Sequence, residues 1–448
     1  MKHKNLRLTA LTMLIFALLS GALVSAQDTV EITITGTGTG AGYDWLTQIV
    51  KPMCESNIDG VTISPVEYVG DDFRQQVVLD LGVGEGGDIL NVDGFWIPEF
   101  VEAGLVQPLN VVAGEEVDSW DGWEQIPVGL QAILGFQGEV YGIASGTDAR
   151  VIWYRTDLFE AAGIAIPWAP TSWEDVLDAA RALKESGVEA PLQLNAGTSM
   201  GEATTMQGYL MALLGAGHHI YDFETGKWIV SSPEILATLE LYNTIYNVEE
   251  LGSARFQLVQ NGRDLSFESF SLGNTAMLVE GDYFWRSIVV PGGNFGMDNR
   301  DEVVSFVPMP SMEPGMGYNG QDFVTVSGGT GYILNPNTEH PAEAWAVLAC
   351  MFSQESLEAF NGLQPRIRAR IDVPVTGDET MSMIASDVLP MTTIRPPLPE
   401  YNRVSAEAQV MTERVVSGEM SPADAMAAYA VAVTEIVGED NVVDMMME

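Results

Sequence analysis

The chain has 448 residues, a length that favours about three domains or two large lobes. Its 46% apolar and 9% aromatic residues supply ample core material and argue against a disordered acidic chain. With 62 acidic and 20 basic residues the net charge is −42, which argues against nucleic-acid partners and against docking on anionic lipid.

Lys2, Lys4 and Arg7 precede an apolar run from Leu8 to Leu19, and Val24-Ser25-Ala26 follows. This reads as a secretory signal peptide cleaved after Ala26, leaving Gln27 first. An uncleaved anchor is the alternative, but the run is short for a membrane span. No Cys follows the run directly, so a lipoprotein is not expected. The mature chain should be soluble and lie outside the cytoplasmic membrane, in a periplasm or beyond. Cys54 and Cys350 are the two cysteines. Both sit on apolar helical patterns as buried thiols. An oxidising compartment permits a bridge, and their spacing does not decide it.

In chain order, Val30 to Ile34 reads as a strand that ends in the Thr-Gly run Gly36 to Gly42. A helix is predicted from about Tyr43, a strand over Val61 to Tyr68, and a helix from Phe73 closing at Gly82. Asp88-Ile89-Leu90 reads as a buried strand. Alternation of this kind implies an α/β fold with helices on both faces of a sheet. Thr171…Glu174 reads as a capping box opening a helix to Glu185, with Gly187 ending it. Ser232-Pro233 opens a helix whose apolar face is Ile235, Leu236, Leu239, Tyr242 and Tyr246. Strands are predicted at Val303 to Val307 and Gly331 to Leu334. Pro341 opens another helix, and the remainder is mostly helical around Arg395-Pro396-Pro397-Leu398-Pro399.

Motifs for catalysis and cofactors are absent or weak. Gly36 to Gly42 fails the G-x-G-x-x-G spacing, since the sixth position from Gly36 is Ala41 and from Gly38 is Tyr43. His218-His219 reads as a surface turn rather than a metal site. Asp222 to Gly226 is too short for a calcium loop. No serine has the G-x-S-x-G context. Neither a metal centre nor a cofactor is expected, and no enzyme activity is assigned.

Several segments, in order, resemble the extracellular solute-binding proteins of ABC importers, of the maltose/oligosaccharide type. Gly87-Asp88-Ile89-Leu90 is similar to that family's "PDI" strand, and Glu102 to Leu109 to its "AGLLxPL" segment. Gly138 to Gly163 carries the fullest match, with Tyr141, Gly142, Ile143, Asp148, Trp153, Tyr154, Asp157 and Phe159. Pro170 to Trp173, Asn274 to Trp285, and Gly328 to Ala344 continue the order. Arg155, Ala144 and Asp282-Tyr283 depart from the pattern, and these departures fall near the family's ligand cleft.

The resemblance implies a two-lobed periplasmic-binding-protein fold of type II, with mixed sheets flanked by helices and a hinge that the chain crosses three times. The crossings are expected near 145–148, 307–311 and 363–366. One lobe would hold 28–146 and 309–364, and the other 147–308 and 365–448. Hinge closure would trap a ligand between them. The ligand expected is a mono- or oligosaccharide or polyol, gripped by carboxylates and amides on its hydroxyls and by aromatic rings on its C–H faces. The candidate residues are Asp148 at the first crossing, Asp93 and Trp96 after a strand end, Tyr283 with Trp285 and Asp282, Gly328, Gly329 and Thr330 as close-approach backbone, Tyr43 and Asp44 at the rim, and Tyr401 from the second lobe. Asp148 also fits a hinge cap, and Trp96 and Tyr283 also fit lobe cores. The expected partners are a small-molecule ligand and ABC permease subunits in the membrane, with the chain itself a monomer. A polyamine or metal-ion ligand on the same fold is the alternative reading, and a secreted glycosidase is a further one. The acidity fits salty surroundings or acidic ones.

Overall fold

The computed structural model describes residues 29–37, 40–68 and 73–446. The expected signal segment, residues 1–26, lies outside the described residues, as do residues 38 and 39 of the glycine run. Among the described residues no helix is long and apolar enough to cross a membrane.

Two main sheets anchor the two halves. The first has strands β1 (Val30–Thr37), β2 (Val61–Tyr68), β3 (Ile89–Asp93), β4 (Gly142–Ala144) and, from late in the chain, Thr330–Leu334. The order across it is β2, β1, β3, Thr330–Leu334, β4. Strands β1, β2 and β3 run parallel, and Thr330–Leu334 runs antiparallel to both β3 and β4. Ile89 to Val92 is buried throughout, as a strand covered on both faces requires.

The second sheet has β5 (Arg150–Arg155), β6 (Leu192–Gln193), β7 (Met277–Gly281) and β8 (Val304–Val307), in the order β8, β5, β7, β6. A small third sheet joins Met309–Pro310, Phe323–Ser327 and Thr392–Ile394. Its Met309, Val324 and Val326 are buried in one core with Ile152, Tyr154 and Leu210 of the second half.

That packing differs from the expected lobe boundary. Residues 309–327, expected in the first lobe, lie against the second, and the chain crosses back at Ser327–Thr330. Residues 369–374 lie with the first lobe: Ala369 and Val373 share its core, and Ile371 N donates to Gln125 O at 2.8 Å.

Local details refine the sequence reading. The capping box of helix Trp173–Glu185 is Ser172 with Asp175, one residue later than expected. Asp175 also accepts from the Thr171 amide and hydroxyl, each at 2.8 Å. The helix from Phe73 continues through Gly82 to Val83, and Gly84 follows at φ 76°. His219 is buried rather than in a surface turn. Cys54 and Cys350 form a disulfide that pins helix Lys51–Asn57 to helix Pro341–Met351.

Candidate functional site

Three chain segments lie side by side between the halves. Ser145 N donates to Thr330 O at 2.8 Å, Thr147 N to Ile367 O at 3.0 Å, and Gly146 bridges Arg368. The backbones approach too closely for side chains: a Cβ on Gly329 would lie 2.6 Å from Gly146 O, and one on Gly146 would lie 2.1 Å from Ile367 O. Glycine is required at both positions because a Cβ would displace backbone rather than a movable side chain.

A cavity of about 370 Å³ opens beside this junction, a size typical of small-molecule sites, roughly 300–1,000 Å³. Its lining includes Asp93, Asp148, Glu202, Tyr283 and Gly328 to Thr330, together with Arg150, Arg263, Arg366 and Arg395.

Asp148 is fixed from three directions. It pairs with Arg150, Gly328 N donates to its Oδ1 at 2.8 Å, and Ser327 Oγ donates to its backbone O at 2.6 Å. Burial disfavours its charge, but Arg150 and the Gly328 amide outweigh burial and hold the carboxyl below the usual range. The same carboxylate is therefore both a hinge cap and a cavity wall.

Asp93 stands at the end of β3, where its Oδ1 caps the short turn at Phe95 and accepts from Arg395 Nη2 at 3.0 Å. Here burial outweighs Arg395, and the carboxyl is raised. Arg395 also donates to Glu202 Oε1 at 3.2 Å and lies over the Phe95 ring at 4.2 Å. It thus bridges the two halves across the cleft.

On the second half, Glu280 at the end of β7 receives Arg263 through Nε at 3.0 Å and Nη2 at 2.9 Å, and Asn195 at 3.0 Å. Two parallel bonds from one guanidinium fix orientation as well as charge. The Tyr283 hydroxyl joins this group, pairing with Glu280 and Arg263 and accepting from Gln207 Nε2 at 2.6 Å. Tyr283 lines the cavity with its hydroxyl engaged by protein groups and the Arg263 guanidinium 5.3 Å from its ring centroid.

The other sequence candidates lie elsewhere. Trp285 is buried in the second-half core, stacked on Trp153 at 5.9 Å, with its Nε1 donating to Asp378. Trp96 is buried in a first-half core with Val77 and Phe100. Tyr401 is fully buried, and its hydroxyl donates to Glu202 at 2.6 Å, so it stands behind the cavity wall. Asp282 is fully buried against Arg286 at 3.0 Å. Tyr43 and Asp44 are half-buried on the first helix and are not among the described residues that line the cavity. For Trp285, Trp96, Tyr401 and Asp282 a core contact or a local pair holds the side chain away from the cleft.

Sequence reasoning missed Arg150, Arg263, Arg366, Arg395 and Glu202. Their partners lie far along the chain, Arg395 and Asp93 being 302 residues apart. The available signal was scarcity: with 20 basic residues against 62 acidic ones, the alternating run Arg366, Arg368, Arg370 stands out.

The profile of a family described as bacterial extracellular solute-binding protein matches residues 55–358, more than half of the chain. A curated Brucella abortus (strain 2308) chain, named as a binding protein, is 23% identical over 406 residues, which is 90% of this chain and 92% of that one. Among solved structures, an ABC transporter solute-binding protein from Thermotoga lettingae TMO bound with α-D-tagatose superposes with a TM-score of 0.76 at 24% identity, over 92% of this chain and 100% of its own. Maltose-bound MalE3 of T. maritima gives 0.75 at 19%, over 91% and 100%. An Agrobacterium radiobacter K84 solute-binding protein in complex with ribitol gives 0.69 at 19%, over 92% and 99%. The shared fold is the two-lobed one, and these relatives are binding proteins rather than enzymes.

Proposed function

The chain belongs to the bacterial extracellular solute-binding proteins, and from that premise we propose that it captures a carbohydrate or polyol between its lobes and delivers it to the permease of an ABC importer. The observation that carries this reading is the cavity itself. It lies against the three crossing segments, between groups from both lobes, so hinge movement changes its walls. Its planar carboxylates and guanidinium forks suit paired bonds to adjacent hydroxyls, and the Tyr283 ring with Met200 and Met206 supplies apolar wall for C–H faces. The tagatose, maltose and ribitol of the structural neighbours support this ligand class.

The lobes are 29–146 with 328–363 and 369–374, and 147–327 with 375–446, while 364–368 serves as hinge. Residues 1–26 act as a cleaved signal, the mature chain is not lipidated, and it works as a monomer outside the cytoplasmic membrane. Each cavity carboxylate already has an arginine partner, which favours hydroxyl recognition over an acid box for a polyamine.

A thermal-shift screen across sugars, polyols, polyamines and metal ions tests the proposal. A ligand at a hundredfold excess over its Kd adds about 2.7 kcal/mol of stability. The expected hits are sugars or polyols, lost in Asp148→Ala and Tyr283→Ala. Hits confined to polyamines or metals, or sugar binding untouched by both substitutions, would overturn the ligand class or the site.

A further inference from the structure

Three of the four arginines lining the cavity have carboxylate partners: Arg150 has Asp148, Arg263 has Glu280, and Arg395 has Asp93 and Glu202. Arg366 has none within 4.0 Å among the described residues. Its Nη2 meets Thr330 Oγ1 at 3.4 Å, and its Nε is buried without a partner. Of two neighbouring guanidinium groups, Arg286 is paired with a carboxylate, and Arg368, which does not line the cavity, is held by neutral oxygens with its Nη1 buried without a partner. Arg286 donates to Asp282 at 3.0 Å and to Gln364 Oε1 at 2.8 Å. Arg368 donates to Asn361 Oδ1 at 2.6 Å and to Gln364 O at 3.1 Å, and covers the Phe360 ring at 3.7 Å.

A chain with 62 acidic residues has no shortage of carboxylates to place beside a buried guanidinium. Leaving one open fork on a cavity wall is costly unless an anion arrives to fill it. We infer that the ligand is a sugar acid, and that its carboxylate seats on Arg366 at the hinge end of the cavity. This inference rests on the carbohydrate reading above.

The remaining groups fit such a molecule. Gln207, which lines the same cavity, has an Oε1 that is a buried acceptor without a partner, a further unmet hydrogen bond beside the seat. A single negative charge suits the seat better than two. Asp148 shares the cavity, and Asp282 lies close enough to act on Arg366 through its charge, so a dianionic phosphate would meet both. Burial first, and then the charge of Arg286, lowers Arg366 to about 10, so it remains a cation at neutral pH.

Calorimetric titration of the full mature chain tests this with D-galacturonate, D-glucuronate and D-gluconate, their neutral counterparts D-galactose, D-glucose and D-glucitol, and D-glucose 6-phosphate. The expected result is one sugar acid binding about tenfold or more tighter than its neutral counterpart, a charge-assisted preference that Arg366→Gln reduces to about threefold or less. Should that variant not fold, Arg366→Lys keeps the charge, removes the fork, and is expected to lose most of the preference. Equal or tighter binding of the neutral sugar would overturn the inference and leave the carbohydrate reading intact. Tighter binding of the phosphate than of any sugar acid would likewise overturn it. Silence of every sugar and sugar acid would overturn both readings.

Discussion

His219 shows how one buried side chain sets a pH dependence. Tyr221 N donates to its Nδ1 at 3.3 Å, so its Nε2 carries the proton and donates to Ile394 O at 3.1 Å. A protonated ring would lose the first bond. Burial foremost therefore lowers its pKa to about 4. The folded state resists a proton that the unfolded chain takes up near 6.5, so stability is full above that value and falls as pH drops toward 4. The loss is about 3 kcal/mol at 1.36 kcal/mol per unit. His219→Gln keeps a donor and an acceptor without titrating, and urea unfolding should show the wild type losing about 3 kcal/mol more than this variant between pH 7 and 4. Parallel curves would remove His219 from the account. The carboxylates of the cleft divide by the same logic. Asp148 is held low, so its contribution is present above the unfolded range and is lost as pH falls below it, whereas Asp93 is raised, so its protonation relieves the fold.

At the scale of elements, helix starts and strand ends were legible in sequence because they depend on near neighbours. The cap of helix Trp173–Glu185 missed by one residue because both frames satisfy the pattern. The shorter Asp175 reaches back to Ser172 and Thr171, and Trp173 turns into the core. Pairings between distant elements were not legible. The disulfide is one, since nothing local tells helix Lys51–Asn57 that helix Pro341–Met351 lies against it. It closes a separation of 296 residues, and constraint of the unfolded chain is worth about 2–5 kcal/mol. The Cys54→Ser, Cys350→Ser variant should unfold at a lower urea midpoint at neutral pH, corresponding to a loss of about 2–5 kcal/mol of stability. An unchanged midpoint would mean the two helices are held by packing alone. The cleft arginines follow the same rule: Asp93, Asp148, Tyr283 and Gly328 to Thr330 sit at strand ends and crossings that sequence can find, while the guanidinium groups reach them from remote segments.

For the whole molecule, the order of matched segments was enough to read the α/β two-lobed architecture, while the packing of Met309, Val324 and Val326 into the second core depends on contacts with distant elements. Two consequences belong to this scale. The first is charge. At −42 the chain repels itself, and screening shortens that repulsion from about 30 Å at 0.01 M salt to about 3 Å at 1 M. Its melting temperature should rise across that range, and a flat response would show that the acids are already neutralised locally. The second is closure. Arg395 on Asp93 and Asn402 on Glu99 already span the lobes, so a ligand has to add contacts to a junction that is partly pinned. Small-angle scattering of the mature chain, with and without a sugar or sugar acid found by titration, measures this directly. The expected result is a smaller radius of gyration with ligand bound and the ligand recovered chemically intact. An unchanged radius at saturation, or a ligand consumed during the measurement, would contradict it.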